Sequence, residues 1–185
     1  MNNGKLFVIS GASGVGKSTV LAKVMEVRKD LTFSVSATTR DPRPGEEEGK
    51  SYYFVSKETF LDMIEKDAFV EYDAHMDNYY GTPRKQLEEK LETGHVILDI
   101  EPNGAFAVRK KRPDAVLIFI APPSVQELEN RLRSRGDTSE EQIHLRLERV
   151  QWEMEQGKQY DHFVVNDQVE DCAQAILHII AQGAD

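Results

Sequence analysis

A glycine-rich segment near the start of the chain has the spacing of a phosphate-binding loop. Residues 11–18 read Gly-Ala-Ser-Gly-Val-Gly-Lys-Ser and fit the pattern G-x-x-x-x-G-K-[ST] throughout. Glycines let backbone N–H groups converge on one point, and a following helix would add the positive end of its dipole. Lys17 would reach the β- and γ-phosphates, and the Ser18 hydroxyl would coordinate Mg²⁺ directly or through water. The motif predicts a nucleoside triphosphate site; the alternative is a glycine-rich turn without a ligand.

Two arginines, Arg40 and Arg43, lie three positions apart where a strand-like stretch enters a polar loop. Their planar guanidinium forks suit a second, monoester phosphate. Tyr52 and Tyr80 offer phenolic donors for the same group and flat faces for a base. The alternative is a solvated basic loop, whose arginines would pair with the acidic residues at 46–48.

Two carboxylates, Asp99 and Glu101, lie two positions apart at the end of an apolar run, so both would point to one face of a strand. Ligands of parallel α/β sheets gather at the carboxyl ends of the strands. We therefore expect Asp99 to help hold Mg²⁺ and its waters. The alternative is a carboxylate that caps a helix or a turn.

The elements that must position these residues alternate along the chain. Apolar runs predict core strands at 5–10, 95–100, 115–120 and 162–165, and a further strand is predicted at 33–37. Amphipathic helices are predicted at 18–29, 57–66, 85–93, 105–111, 124–135 and 171–181. Ser124 with Glu127, and Thr138 with Glu141, have the spacing of helix capping boxes. The second box would open a further helix, in which Ile143, Leu147, Val150 and Met154 share one face. This order predicts an α/β fold of the P-loop NTPase type, with a parallel β-sheet flanked by helices.

Two stretches interrupt the alternation and predict insertions into one domain. We expect an inserted acceptor lobe at 33–83 and a helical lid at 124–158. The core would then consist of 1–32, 84–123 and 159–185. A chain of 185 residues is long enough to bury such a core.

The charge balance excludes several classes of function. With 32 acidic and 23 basic residues, the net charge of −9 argues against a general nucleic-acid binder. No apolar run approaches the roughly 18 residues of a membrane span, and the first residues do not read as a secretion signal. The sequence therefore predicts a cytoplasmic protein with no membrane partner. Cys172 is the only cysteine, so it cannot form an internal disulfide, and we expect it to pack in the interior.

Several segments together resemble the guanylate kinases. They are the phosphate loop, Ser-x-Thr-Thr-Arg-x-Pro-Arg-x-Gly-Glu at 36–46, Asn-Tyr-Tyr-Gly-Thr at 78–82, Ile-Leu-Asp-Ile at 97–100 and Val-Val-Asn-Asp at 164–167. The resemblance runs in order from about residue 5 to 180. It implies Mg²⁺-dependent transfer of the γ-phosphoryl group of ATP to GMP, in purine nucleotide metabolism, with a lid that closes over both nucleotides.

The resemblance also implies which residues form each part of the site. The ATP site would comprise Gly11, Ala12, Ser13, Gly14, Val15, Gly16, Lys17, Ser18, Thr19 and Asn166. The GMP site would comprise Arg40, Arg43, Tyr52 and Tyr80 for the phosphate, and Ser36, Glu71, Thr82 and Glu101 for the base. Ser18 and Asp99 would hold Mg²⁺, while Lys17, Arg135 and Arg146 would be catalytic.

The proposed base contacts agree with the chemistry of guanine. Its N1–H and N2 amino group donate, which suits the carboxylate of Glu71, and its O6 accepts, which suits the hydroxyls of Ser36 and Thr82. Adenine lacks those donors, so such a site would reject it. Glu101 stands where the family commonly has Asp, and the following Pro102 lacks a backbone N–H. By itself, Glu71 also fits a surface carboxylate at a strand end.

Two other functions stay open at this point. A kinase of the same fold would act on another small phosphorylated acceptor, such as a ribose bisphosphate, although the presence of Glu71 with Thr82 disfavours it. A non-catalytic guanylate-kinase-like domain would bind protein partners in the acceptor lobe, but it would not need Gly16, Lys17 and Ser18. The sequence leaves the oligomeric state open, as a monomer or a homodimer.

Overall fold

Strands and helices alternate along the part of the chain that the structure, a computed structural model, describes: residues 4–75, 77–135 and 139–183. The strands are β1 Leu6–Gly11, β2 Leu31–Phe33, β3 Ala37–Thr38, β4 Tyr53–Phe54, β5 Phe69–His75, β6 Asn78–Pro83, β7 His95–Asp99, β8 Val116–Ala121 and β9 His162–Val165. The helices are α1 Lys17–Val27, α2 Lys57–Glu65, α3 Arg84–Thr93, α4 Pro102–Lys111, α5 Val125–Arg135, α6 Glu140–Gly157 and α7 Val169–Gly183.

The central sheet is parallel and has the strand order β2-β7-β1-β8-β9. Its inner strands are almost fully buried, because helices cover both faces. Ile9 of β1 pairs in register with Asp99 of β7, so the two strands end at the same edge. The phosphate loop and Asp99 therefore leave the sheet side by side, and the predicted α/β fold is confirmed.

A second sheet, with the order β4-β3-β6-β5, lies beside a small core of its own. Phe60 of α2 stacks on Phe69 of β5 at a ring-centroid distance of 4.4 Å. The single strand predicted at 33–37 is wrong, because β2 belongs to the central sheet and β3 to this one. The change of sheet occurs between Ser34, whose N–H donates to the Ile97 carbonyl, and Ser36, whose carbonyl accepts from Tyr53 N–H.

The helix starts show where the predicted caps were right and where they were wrong. Ser124 Oγ accepts from the Glu127 N–H at 3.1 Å, as predicted. Helix α6 begins one residue later than predicted, because Ser139 caps it by accepting from the Gln142 N–H at 3.3 Å. Thr138 lies outside the described residues.

Helix α6 is anchored at its C-terminal end by a close contact with the central sheet. A Cβ added to Gly157 would lie 2.5 Å from Phe119 of β8, so only glycine lets the helix approach this far. Val150 and Glu153 are also fully buried. Most residues from Glu140 to Arg149, in contrast, are exposed.

Two further predictions concern the chain's apolar segments and its cysteine. Among the described residues, no helix is long and apolar enough to cross a bilayer. Cys172 is buried in α7, as its predicted packing role requires, and burial raises the pKa of its thiol to about 11.

Candidate active site

The phosphate loop connects β1 to α1 in the form that the motif predicts. Gly14 and Gly16 have φ angles of 79° and 89°, which L side chains rarely adopt. Gly16 caps α1, and no described side chain makes a capping hydrogen bond there, so the first N–H groups of the helix and its dipole are left for the loop. Asn166, after β9, braces the loop because its Nδ2 donates to the Val15 carbonyl at 2.7 Å. This loop therefore offers a preformed cradle for an anion.

A second support of the loop comes from α6, and the sequence did not indicate it. Glu153 is fully buried and accepts two hydrogen bonds from Ser13, at 2.7 Å from its N–H and 2.8 Å from its Oγ. The first turn of the loop is thus held by a helix 140 residues further along the chain.

Lys17 and Asp99 form an ion pair at the carboxyl edge of the sheet. Ser18 is exposed in the first turn of α1, beside Lys17. A serine hydroxyl and a carboxylate are the hard oxygen ligands that Mg²⁺ prefers, and Mg²⁺ commonly completes its shell with waters and substrate phosphates. No group of three or more potential metal ligands occurs among the described residues. The chemistry of Ser18 and Asp99 therefore fits a Mg²⁺ ion that a nucleotide also coordinates.

A cleft of about 540 Å³ opens between the two sheets, and Lys17 lies at its border with the phosphate loop. The predicted site residues Ser36, Tyr52, Glu71, Tyr80, Asp99 and Glu101 line this cleft. It is also lined by residues to which the sequence assigned no role: Asp73, Gly81, Ile100, Asn103, Gly104, Arg149 and Trp152.

Glu71 is a buried carboxylate in the wall of this cleft, with 6% of its surface exposed. It pairs in register with Thr82, whose hydroxyl donates to Glu71 Oε1. Burial raises the pKa of Glu71, and the hydrogen bond from Thr82 partly opposes that shift. Gly104 allows the close approach of α4, because a Cβ there would lie 3.0 Å from Glu71 Oε2. The alternative of a surface carboxylate is therefore wrong for Glu71.

Arg40 follows β3 and pairs with a carboxylate, and it is not among the described residues that line the cleft. Its two terminal nitrogens donate to Glu46 at 3.0 and 2.8 Å, and its guanidinium lies 5.5 Å from the Tyr52 ring centre. Tyr80 lies edge-on to Tyr52, at 6.1 Å between ring centres. The hydrogen bonds with Arg40 lower the pKa of Glu46. The pairing of Arg40 with the acidic loop, which was one of the two alternatives from the sequence, is therefore present. The same two-pronged geometry also suits a phosphate.

Two other predicted arginines, Arg43 and Arg146, also lie outside the described lining of the cleft. Both are exposed. The Arg43 N–H donates to Glu46 Oε2 at 2.7 Å. Arg135 ends α5, and its side chain lies outside the described residues.

Comparison with known proteins agrees with this geometry over nearly the whole chain. The family model described as guanylate kinase matches residues 3–183. The chain belongs to the guanylate kinase family. It is 48% identical to the guanylate kinase of Thermus thermophilus, over 96% of this chain and 80% of that one. It is also 48% identical to that of Trichodesmium erythraeum, over 97% of each.

A solved structure gives the same result for the fold. The guanylate kinase of Anaplasma phagocytophilum superposes with a TM-score of 0.77, at 34% identity, over 98% of this chain and 87% of that one. The predicted family, fold and enzyme class, a nucleoside monophosphate kinase, are confirmed. The non-catalytic domain and the kinase of another acceptor are not favoured.

Proposed function

We propose that this chain transfers the γ-phosphoryl group of ATP to GMP or dGMP with Mg²⁺, giving ADP and GDP or dGDP, in the cleft described above. The observation that carries the proposal is the buried Glu71, which lines a cleft that the lysine of the phosphate loop also lines. Thr82 is fully buried behind it and donates its hydroxyl to Glu71. A buried carboxylate that could read a base and the lysine of a phosphate loop thus border one cavity. We assign 33–83 to the GMP lobe, 124–158 to the lid and the remaining residues to the core.

On the donor side, the open N-terminus of α1 and the backbone of 11–19 would hold the phosphates of ATP. Asn166 supports a site for the adenine ring beside them. It is 5% exposed, and its Nδ2 donates to the Val15 carbonyl, whereas its buried Oδ1 has no hydrogen-bond partner among the residues that the structure describes. An amide oxygen in this state suits a donor such as the adenine amino group.

Between the two nucleotides, Ser18 and Asp99 would hold Mg²⁺, which supplies positive charge where the phosphoryl oxygens become more negative. Lys17 borders both the phosphate loop and the acceptor cleft. It would leave Asp99 and stabilise the transferring group, because phosphoryl transfer depends on positioned cations more than on covalent help from the protein.

On the acceptor side, the Glu71 carboxylate would accept from guanine N1–H and N2, and Ser36 would face O6. The GMP phosphate would take the place of Glu46 on Arg40, with Tyr52 and Tyr80 as further donors and Arg43 close by on the same loop. Arg146 and Arg135 would approach from the lid when it closes and would help to exclude water. We further infer a cytoplasmic enzyme without nucleic-acid or membrane partners.

The test is a coupled assay of ADP release with ATP, Mg²⁺ and a panel of GMP, dGMP, AMP, CMP and UMP. We expect turnover with GMP and dGMP to exceed that with AMP by a factor of at least about 10⁴, because a site built on hydrogen bonds rejects an analogue that lacks them. Comparable turnover with AMP would contradict the guanine site, and no turnover with any acceptor would contradict the proposed reaction.

A further inference from the structure

Arg149 lies where the lid segment meets the acceptor cleft, and the sequence assigned it no role. It stands on α6 three residues before Trp152, and both side chains line the cleft. Four described acidic residues line the same cleft, namely Glu71, Asp73, Asp99 and Glu101, whereas the described cationic residues that line it are Lys17 and Arg149. Arg149 is therefore the cation that this helix contributes to the wall.

The guanidinium of Arg149 joins two carboxylates from different parts of the molecule. Its Nε donates to Glu153 Oε1 at 2.9 Å, within α6. Its Nη2 donates to Glu101 Oε2 at 3.0 Å, across to the residue before α4. Because the guanidinium is planar and rigid, the positions of the two carboxylates depend on each other.

The two carboxylates connect Arg149 to the phosphate loop and to the acceptor cleft. Glu153 is fully buried, and its remaining described contacts are the two hydrogen bonds from Ser13 of the phosphate loop. Glu101 borders both the acceptor cleft and the phosphate loop, and 58% of its side chain is exposed. The continuous chain of contacts Ser13–Glu153–Arg149–Glu101 thus runs from the cradle to the acceptor cleft.

We propose that Arg149 is a positioning residue that couples the binding of GMP to the binding of ATP through Glu101 and Glu153. The inference rests on the proposed function, because it requires GMP and ATP to occupy the two ends of this chain of contacts. An acceptor that contacts Glu101 changes the partner of Arg149, and Arg149 transmits the change to the carboxylate that holds Ser13. By linkage, ATP then changes the affinity for GMP by the same factor as GMP changes that for ATP.

The test measures this coupling by calorimetry. GMP is titrated into the protein with and without a saturating, non-hydrolysable β,γ-methylene analogue of ATP and Mg²⁺. We expect the GMP Kd of the wild type to change by at least about fivefold. In Arg149→Met the two Kd values should agree within about twofold. Trp152, the only tryptophan in the sequence, gives an independent fluorescence signal from the cleft wall.

Arg133→Met is the matched control, because Arg133 and Arg149 have the same side-chain exposure of 43%. Arg133 also pairs with two carboxylates, Glu129 four residues away on α5 and Glu140 at the start of α6. It is not among the described residues that line the cleft, so this variant should retain the coupling. Loss of coupling in Arg133→Met, or its retention in Arg149→Met, would overturn the proposal, as would equal Kd values in the wild type.

A second variant guards against an effect of unfolding. Arg149→Lys keeps the charge but has a single ammonium group, so it should hold one carboxylate and lose most of the coupling while its Tm stays near that of the wild type. Retained coupling in this variant would count against the bridge. Failure of the proposed function looks different, because it appears as an absence of GMP turnover in the wild type.

Discussion

Replacing Glu71 by Gln should have opposite effects on GMP binding and on the stability of the fold, because the buried charge favours the first and opposes the second. The side chain keeps its size, and Gln Oε1 can still accept from the Thr82 hydroxyl. However, the charge disappears and the second oxygen becomes an NH₂ donor. For a guanine whose N1–H and N2 amino group both donate, one acceptor is lost and a donor faces another donor.

The expected size of the binding defect follows from the contacts. A hydrogen bond to a charged group contributes about 1.5–3 kcal/mol, and a buried donor left unpaired costs about 1–3 kcal/mol more. Together they predict a loss of at least about 2.5 kcal/mol, or about 60-fold in kcat/KM for GMP, because about 1.4 kcal/mol corresponds to a factor of ten. The effect should appear in the KM for GMP and leave the KM for ATP nearly unchanged.

Stability should change in the opposite direction. Burial raises the pKa of Glu71, so the folded protein takes up this proton at a higher pH than the unfolded chain does. Wild-type stability therefore gains from this group as the pH falls through the folded pKa, and at pH 7 its ionised form opposes folding. Glu71→Gln should accordingly have a Tm at pH 7 equal to or above that of the wild type, and the difference should shrink towards pH 5.

The assays are steady-state kinetics with varied GMP and thermal unfolding followed by circular dichroism at pH 5 and pH 7. Glu89→Gln is the control, because it removes the same charge from the exposed face of α3, where Glu89 lies 3.9 Å from Lys85. It should leave both readouts near the wild-type values. A Glu71→Gln enzyme with an unchanged KM for GMP, or with a much lower Tm at pH 7, would refute the reasoning.

Three other substitutions test separate parts of the structure. Gly104→Ala would place a Cβ 3.0 Å from Glu71 Oε2, and overpacking of this kind costs about 1–3 kcal/mol. Because the Glu71 carboxylate would have to shift, we expect steady-state kinetics to show a KM for GMP raised by about tenfold. Lys17→Met should lower kcat by at least about 100-fold, with a Tm within a few degrees of the wild type, because it removes charge where the phosphoryl group transfers. Gly157→Ala should reduce the free energy of unfolding in urea by about 1–3 kcal/mol, because its Cβ would lie 2.5 Å from Phe119.

The sequence predicted the parts of the site that depend on neighbouring residues. The phosphate loop could be predicted completely, because its glycines, its lysine and the helix that follows are contiguous and set the local backbone. The strands with continuous apolar runs were predicted to within one or two residues. Helix α4 begins three residues earlier than predicted, at Pro102, since proline suits the first turn of a helix.

The features that the sequence could not predict depend on partners far along the chain. The alternating run at 33–37 looks like one strand, but its two ends bond to segments about 60 and 17 residues away, and the chain changes sheet between them. Arg149 has the spacing of an ordinary pair with Glu153, and its second partner, Glu101, is 48 residues distant. No local pattern distinguishes such a bridge from a solvated ion pair.

The anchoring of α6 at Gly157 gives the helix a mechanical property. The contact with Phe119 fixes one end, and the 17 residues from there back to Glu140 span about 25 Å of a rigid rod. Arg149 lies about 12 Å from that fulcrum, so a tilt that shifts its guanidinium by about 2 Å carries the far end of the rod about 4 Å. A rigid tilt about this contact would therefore displace Glu140 roughly twice as far as Arg149, and the buried Val150 and Glu153 would have to move with the helix.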